Sequence, residues 1–307
     1  MFQHPNKSFF FRETPQPITF ISATTSNVSL AMDVSSDGPK HAPKHVESPT
    51  PTEQPKWKLG KCRQILKPTR RGRGGRNVKG TNIDRHNFSL LGTNSNGLKA
   101  KKGSLVNTMN FFNQPSVVAI QETKLRQNGI VKLKGYQVFE MNRPGLGGGL
   151  LTAVRHELEP VLVYQCEEES EILVVQIKVG SQKVRVFNAY GPQEHDTSAQ
   201  VKLNFWHNLE KEIMSAYEEN CEIVMELDAN AKVGPNVIPN DPNVQSENGR
   251  YMMEMLARQN LYLLNSSELC KGTITRQRNA AGRIEKSILD YVIVSTNLFG
   301  HFFNRYS

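Results

Sequence analysis

The stretch VVAIQETK, residues 117–124, joins a short apolar run to a charged end. Four apolar residues and Gln121 suit a buried β-strand, and Glu122 follows them directly. A sheet holds the ends of its strands in fixed positions, which makes a strand end a good place for a functional side chain. The stretch therefore predicts a buried strand that presents a carboxylate at its end.

The same pattern recurs at the ends of three further predicted strands, FSLLGTN, KVRVFNAY and EIVMELDAN. The polar residues at these ends are Asn94 and Asn96, Tyr190, and Asp228 and Asn230. Taken singly, each of them could be a turn former or an exposed strand-end residue. Their recurrence on different strands favours one shared site.

A fifth predicted strand, SILDYVIVS, residues 287–295, carries a polar residue within its apolar stretch. The stretch reads as the last strand of the chain, with Asp290 in its middle. A buried carboxylate is costly unless it is paired, hydrogen-bonded or bound to a metal. We therefore expect Asp290 to face the same site as Glu122 and Asp228.

The fold class follows from the alternation of strand and helix patterns after about residue 87. EILVVQIKV and KVRVFNAYGP predict a hairpin around Gly180-Ser181. Residues 199–217 place Phe205, Leu209 and Ile213 at helical spacing. Hairpins mixed with helices favour an α/β (α+β) sandwich over a regularly wound parallel sheet.

The excess positive charge of the chain lies in its first 80 residues. These contain 14 Lys and Arg against 5 Asp and Glu, whereas residues 81–307 contain 24 of each. The segment is rich in Pro, Ser and Thr and has no sustained periodicity, so we expect residues 1–80 to be a disordered basic leader and residues 81–307 to be the folded domain. Its tract KPTRRGRGGRNVKG is typical of a nucleic-acid contact, a nuclear localisation signal or a solvated linker.

Several classes of protein are disfavoured by the sequence. The chain has no apolar run of 18 residues, which argues against a membrane helix and a membrane partner. Its four cysteines show no close spacing, so a disulfide scaffold or zinc site is not expected. We expect a nuclear or cytoplasmic location without secretion. The oligomeric state is left open.

Carboxylates that converge from distant positions suit a hard divalent cation. Mg²⁺ prefers oxygen ligands, and phosphate oxygens complete its coordination shell. Hydrolysis of a phosphate ester needs such a set, because a cation neutralises charge, a carboxylate activates water and donors hold the phosphoryl oxygens.

Five motifs in this order, GTNSNGLK, AIQETK, NAYGPQ, LDANAKVG and SILDYVIVS, resemble the endonuclease/exonuclease/phosphatase superfamily. The similarity covers about residues 88–299 and is strongest to the endonuclease domains of LINE-type (non-LTR) retrotransposons, relatives of exonuclease III and apurinic endonucleases. It implies a four-layer sandwich of two packed mixed or antiparallel sheets flanked by helices. It also implies a Mg²⁺-dependent DNA endonuclease of retroelement origin, with Mn²⁺ as an alternative metal and DNA as partner.

The resemblance assigns a role to each site residue. Glu122 would be the principal metal ligand and Asn96 a second one, at a position where relatives carry Asp or Asn. Tyr190 and Asn230 would bind the phosphate, and Asp228 would orient or deprotonate water. Asn94 would hydrogen-bond beside the metal and the carboxylates. Asp290 would orient a catalytic histidine.

The sequence departs from the family pattern at two places. Leu227 precedes Asp228 where relatives usually have glycine. The family's closing Ser-Asp-His is not found between Asp290 and Ser307, and His301 lacks the preceding Ser-Asp and lies too close to Asp290. We therefore expect the final strand and its histidine to be missing and activity to be weakened or lost.

Two alternatives stay open. The first is a phosphoesterase of the same fold that acts on inositol phosphates, lipids or nucleotides, because fold alone does not choose a substrate. The second is a non-catalytic nucleic-acid-binding remnant of a retroelement.

Overall fold

The computed structural model describes residues 18–22, 88–126, 129–143, 147–166, 170–195, 197–267, 270, 274–280 and 283–303. For residues 18–22, 280 and 300–303 only the backbone is described. Most of the predicted leader lies outside these ranges, and the division near residue 80 stays a prediction. Among the described helices, none is both long and apolar enough to cross a membrane.

Four helices and thirteen strands make up the described part of the chain. The helices are α1 (Leu98–Phe111), α2 (Ala199–Glu218), α3 (Glu247–Arg258) and α4 (Thr296–Phe303). The strands are β1 (Ile18–Ser22), β2 (Phe88–Asn94), β3 (Val117–Gln121), β4 (Tyr136–Met141), β5 (Leu150–Arg155), β6 (Val161–Cys166), β7 (Glu171–Val179), β8 (Gln182–Tyr190), β9 (Glu222–Asp228), β10 (Leu261–Leu263), β11 (Arg276–Ala280), β12 (Arg283–Ser287) and β13 (Asp290–Ser295). Two short 3-10 turns cover His156–Leu158 and Leu264–Ser266.

The strands form two mixed sheets and a separate two-stranded ribbon. The first sheet has the order β1-β2-β3-β5-β4, with β1, β2 and β3 parallel and the other pairs antiparallel. The second has the order β10-β13-β9-β8-β7-β6, with only β8 and β9 parallel. The ribbon joins β11 to β12. The predicted hairpin around Gly180-Ser181 is the β7–β8 connection.

The two sheets pack face to face between helices, which confirms the four-layer sandwich. The layer between the sheets contains Leu90, Val117, Val186, Val224 and Val294. Helix α1 covers the outer face of the first sheet through buried Leu98, Leu105 and Met109. Helices α2 and α3 cover the outer face of the second sheet with a set that includes Phe205, Leu209, Ile213, Met252 and Met255.

A buried amide pair joins the two sheets beneath the end where the predicted site residues lie. The side chain of Gln121 on β3 donates to Asn188 Oδ1 on β8 at 2.9 Å. Asn188 Nδ2 in turn donates to the carbonyl of Leu151 at 3.0 Å. Because both side chains are almost fully buried, these bonds fix the relative position of the sheets.

Two details differ from the sequence-based expectations. Residues 18–22, within the predicted disordered leader, form β1 and pair with β2 from Ile18↔Phe88 to Ser22↔Gly92, so a structureless leader does not extend to them. The last strand begins at Asp290 instead of Ser287, because Ser287 belongs to β12 and pairs with Arg276 of the ribbon. Asp290 is therefore the first residue of its strand.

Candidate active site

Five of the predicted site residues converge at one end of the sandwich: Asn94, Glu122, Tyr190, Asp228 and Asp290. Asn94, the last residue of β2, pairs with Gln121, the last residue of β3, and Glu122 directly follows Gln121. On the second sheet Tyr190 pairs with Asp228, and Asp228 pairs with Asp290. Since β13 runs antiparallel to β9, its first residue lies beside the last residue of β9.

Asn94 connects the carboxylates of the two sheets. Its side-chain Nδ2 donates to Glu122 Oε1 at 2.9 Å and to Asp228 Oδ2 at 2.6 Å. The hydroxyl of Tyr190 donates to the same Glu122 Oε1 at 3.2 Å. One amide therefore holds two carboxylates from separate sheets in a single cleft.

The asparagine of the D-x-N motif, Asn230, shapes the turn after Asp228. The backbone N–H of Asn230 donates to Asp228 Oδ1 at 3.3 Å, and its side chain donates to the carbonyl of Gly191 at 2.9 Å. Its φ of 45° lies in the left-handed region, a conformation that asparagine tolerates better than most residues. Asn230 thus orients Asp228 and ties it to the strand end of Tyr190.

A positively charged side chain bridges the two residues that the resemblance assigns to the metal. Lys124 Nζ lies 3.3 Å from Glu122 Oε2 and donates to Asn96 Oδ1. The ammonium group, itself a cation, lies between these two oxygen atoms. Glu122 and Asn96 thus offer the hard oxygen atoms that Mg²⁺ prefers, and they would hold it together with phosphate oxygens. Within the described residues, no three His, Cys, Asp or Glu side chains gather closely enough to hold an ion by themselves.

The electrostatics of the cleft favour a bound cation. Burial raises the pKa of Asp228 well above its usual value, and the negative charges of Asp290 and Glu122 raise it further. Burial and Glu122 raise the pKa of Asp290 to about 6, against a hydrogen bond from Thr275 and the charge of Arg276. The pKa of Tyr190 is raised by burial, Asp228 and Glu122, so its hydroxyl stays a donor. A cation would relieve this repulsion.

Within the described residues, Asp290 makes hydrogen bonds to Thr275 and Asn265 and none to histidine. Its backbone N–H donates to Thr275 Oγ1 at 3.2 Å, and its carbonyl accepts from Asn265 Nδ2 at 3.1 Å. His301 lies on α4, beyond the other end of β13, a strand that spans about 17 Å at the usual rise. The side chain of His301 lies outside the described residues.

The structure adds residues to the cleft that sequence reasoning missed. Glu226 lies two residues before Asp228 on the same face of β9 and is 2% exposed, and its Oε2 has no hydrogen-bond partner among the residues that the structure describes. Burial, Asp290 and Asp228 all raise its pKa. The acidic residue within the apolar run EIVMEL could have identified Glu226 from the sequence. No sequence pattern could have identified Thr275.

No family model matches the chain, and no curated protein matches its sequence. Its structure is similar to that of the endonuclease domain of TRAS1, a telomere-specific non-LTR retrotransposon, with 17% identity and a TM-score of 0.52 over 69% of this chain and 86% of that one. It is also similar to the catalytic domain of Xenopus laevis APE2, with 17% identity and a TM-score of 0.54 over 69% of this chain and 83% of that one. The chain has the endonuclease/exonuclease/phosphatase fold.

A third structure of the endonuclease/exonuclease/phosphatase fold, the 3′-5′ exonuclease NExo from Neisseria meningitidis, matches with 14% identity and a TM-score of 0.53 over 69% of this chain and 88% of that one. At these identities the similarity establishes the fold. The superfamily fold expected from the motifs is thereby confirmed.

The raised pKa of Asp290 gives the metal-free protein a pH-dependent stability. A carboxyl whose pKa rises from 3.8 to about 6 on folding contributes stability below the lower value, and this is lost as pH rises through the higher one. In EDTA we expect Asp290→Asn to remove about 2–3 kcal/mol of this pH dependence, at about 1.4 kcal/mol per pKa unit. Thermal unfolding between pH 4 and 8 measures it.

Glu254→Gln, which alters an exposed ion pair with Arg250 on α3, is the control and should keep the wild-type pH profile. Identical profiles for the wild type and Asp290→Asn would contradict the account of this carboxyl.

Proposed function

We propose that the chain is a Mg²⁺-dependent phosphodiester hydrolase, a DNA endonuclease of retroelement origin. The observation that carries this proposal is the Asn94 amide that joins Glu122 to Asp228 across the two sheets, beside the hydroxyl of Tyr190. Each group has a task in phosphate-ester hydrolysis, and the resemblance assigns the same tasks to the same positions.

The division of labour follows from the contacts. Asp228 is buried and its carboxylate, oriented by Asn94 and Asn230, accepts a proton from the attacking water. Tyr190 keeps its proton and donates to a phosphoryl oxygen as negative charge develops there. Glu122 and Asn96 would hold a divalent cation, which would supply charge neutralisation at the phosphate. Asn230 keeps Asp228 in place.

The resemblance expects Asp290 to orient a catalytic histidine, and among the described residues no histidine side chain bonds to it. A positioned acid–base group contributes about 10²–10⁴ in rate. We therefore propose slow hydrolysis by this chain.

A basic ribbon beside the cleft supports nucleic acid as the substrate. Thr275, at the base of the β11–β12 ribbon, accepts from the backbone N–H groups of Leu289 and Asp290. The exposed cations of the ribbon are Arg276, Arg278, Arg283 and Lys286, against one acid, Glu285. An extended row of cations suits the repeated phosphates of a polynucleotide better than a single inositol phosphate.

Replacing two ribbon cations tests this assignment. The double variant Arg276→Gln/Arg283→Gln should bind duplex DNA less tightly and flatten the dependence of log affinity on log salt by about 0.9 for each lost phosphate contact. Fluorescence anisotropy over a salt series measures both quantities.

The control for the ribbon variant is Lys178→Gln/Lys183→Gln, which removes two exposed cations at the β7–β8 hairpin, the opposite end of the second sheet. It should bind as the wild type does. Equal salt slopes for both double variants would contradict a DNA contact at the ribbon.

Substrate choice separates the proposal from its alternatives. The full chain is incubated with supercoiled plasmid and, separately, with inositol phosphates in Mg²⁺ or Mn²⁺. Nicking without phosphate release supports the endonuclease. Phosphate release without nicking would show a phosphoesterase, and DNA binding without either reaction would show a non-catalytic remnant.

A further inference from the structure

The loop between β4 and β5 packs against the turn that carries Glu122. It contains Gly147, Gly148 and Gly149, with φ values of 105°, 66° and 88°. Three successive residues in the left-handed region need glycine, because a Cβ is strained there. A Cβ on Gly148 would also overlap the carboxyl of Glu171. The glycines therefore allow the loop backbone to lie directly on Glu171.

Glu171 holds this loop from the side of the second sheet. It is the first residue of β7 and is 6% exposed. Its Oε2 accepts the backbone N–H of Gly149 at 2.6 Å, and its Oε1 lies 3.0 Å from Arg143 Nη1. The ion pair with Arg143 balances a carboxylate that would otherwise be costly to bury.

The other edge of the same loop holds the residues after Glu122. The N–H of Thr123 donates to the carbonyl of Gly149 at 3.0 Å, and the N–H of Lys124 donates to that of Gly148 at 2.9 Å. Glu122 and Lys124 both have left-handed backbones, with φ of 48° and 50°. Such conformations persist only where neighbouring contacts enforce them. The loop supplies two of these contacts.

A second route links Glu171 to the same carboxylate. Glu171 pairs with Tyr190 in the β7–β8 ladder, and the hydroxyl of Tyr190 donates to Glu122 Oε1. The backbone of Glu171 is thus tied to the strand that carries Tyr190, while its carboxylate holds the glycine loop.

We propose that Glu171 is a positioning residue that fixes the Glu122 turn through the glycine loop and so sets the affinity of the site for a divalent cation. The statement about cation affinity rests on the proposed function. The statement that Glu171 fixes the Glu122 turn rests only on contacts within the chain. Glu171 touches neither cation nor phosphate; it acts through Gly149, Thr123 and Glu122.

Two measurements on the full chain test the proposal. Hydrogen exchange without metal should show at least tenfold faster exchange of the Thr123 and Lys124 amides in Glu171→Ala, because their acceptors lose their anchor. Calorimetric titration with Mn²⁺ should show about 10–100-fold weaker binding, the usual effect of removing a group that orients a ligand. Glu171→Gln keeps an oxygen for Gly149 and should show a smaller change in both.

Glu210→Gln is the matched control, because its carboxylate is 17% exposed and pairs with Arg258 on the helical layer. It should alter neither quantity in the folded protein. Unchanged exchange and unchanged Mn²⁺ affinity in folded Glu171→Gln and Glu171→Ala would overturn the proposal. If the wild type binds no Mn²⁺ and the Glu171 variants still show faster amide exchange, the positioning role is supported and the proposed function is refuted.

Discussion

Asp228→Asn should slow plasmid nicking by a factor of about 10²–10⁴, the range for loss of a positioned proton acceptor. The amide cannot take a proton from water, while it keeps the size of the carboxyl and removes a buried charge. The fold should therefore survive. Single-turnover nicking of supercoiled plasmid in Mg²⁺, with the folded fraction checked by circular dichroism, measures the effect.

Asp241→Asn provides the matched control for Asp228→Asn. Both carboxylates are 5% exposed, and Asp241 accepts the backbone N–H groups of Gly234 and Asn243 instead of facing the cleft. This variant should lose stability and keep the nicking rate per folded molecule. A comparable rate loss in both variants would attribute the effect to damage to the fold and contradict the role of Asp228.

Gly92→Ala should destabilise the sandwich by about 1–3 kcal/mol, the usual cost of overpacking a core. Gly92 lies on β2, and a Cβ there would overlap the carboxyl group of buried Glu226 on the opposite sheet. At about 2–4 °C of melting temperature per kcal/mol, the loss is measurable by thermal unfolding.

The cause of this loss can be isolated with a double-mutant cycle. Glu226→Ala in the Gly92→Ala background should restore much of the stability, with a coupling of about 1–3 kcal/mol between the two positions. Gly103→Ala on α1 is the control, since a Cβ there meets nothing within 4 Å and helix propensity favours alanine. Additive effects of the two core changes would show that Glu226 does not fill the space above Gly92.

The strand ends could be predicted from the sequence because these site residues end or follow segments with a mainly apolar strand pattern. Asn94, Glu122, Tyr190 and Asp228 all lie where this pattern places them, and α2 begins at Ala199 as its spacing indicates. The local sequence pattern is sufficient to locate these strand ends, because apolar strands are buried and their ends reach the surface at one edge of the sheet.

The supporting contacts could not be predicted in the same way. Glu171 stands after the acidic run EEES, where nothing in the local sequence distinguishes it from the other glutamates, and its contacts involve a glycine loop of the other sheet. The β11–β12 ribbon was missed because TRQRNAAGRIEKS lacks the alternating apolar residues that identify a strand. Its pairing is made by backbone bonds that any side chain allows.

Asp290 shows how the structure refines a sequence-based expectation. Its place beside Asp228 was expected, whereas its place at the start of β13 and its contact with Thr275 were not. Through Thr275, the backbone at Asp290 is tied to the base of the basic ribbon. This contact is visible only once the ribbon is placed.

The most direct test of the central claim is plasmid nicking by the full wild-type chain in Mg²⁺, compared with the same chain in EDTA and with Glu122→Ala in Mg²⁺. Wild-type nicking should be slow, require Mg²⁺ and disappear in Glu122→Ala, because the proposed cation site depends on that carboxylate. Nicking at the same rate by the wild type and Glu122→Ala, or no nicking by the wild type at any Mg²⁺ concentration, would contradict it.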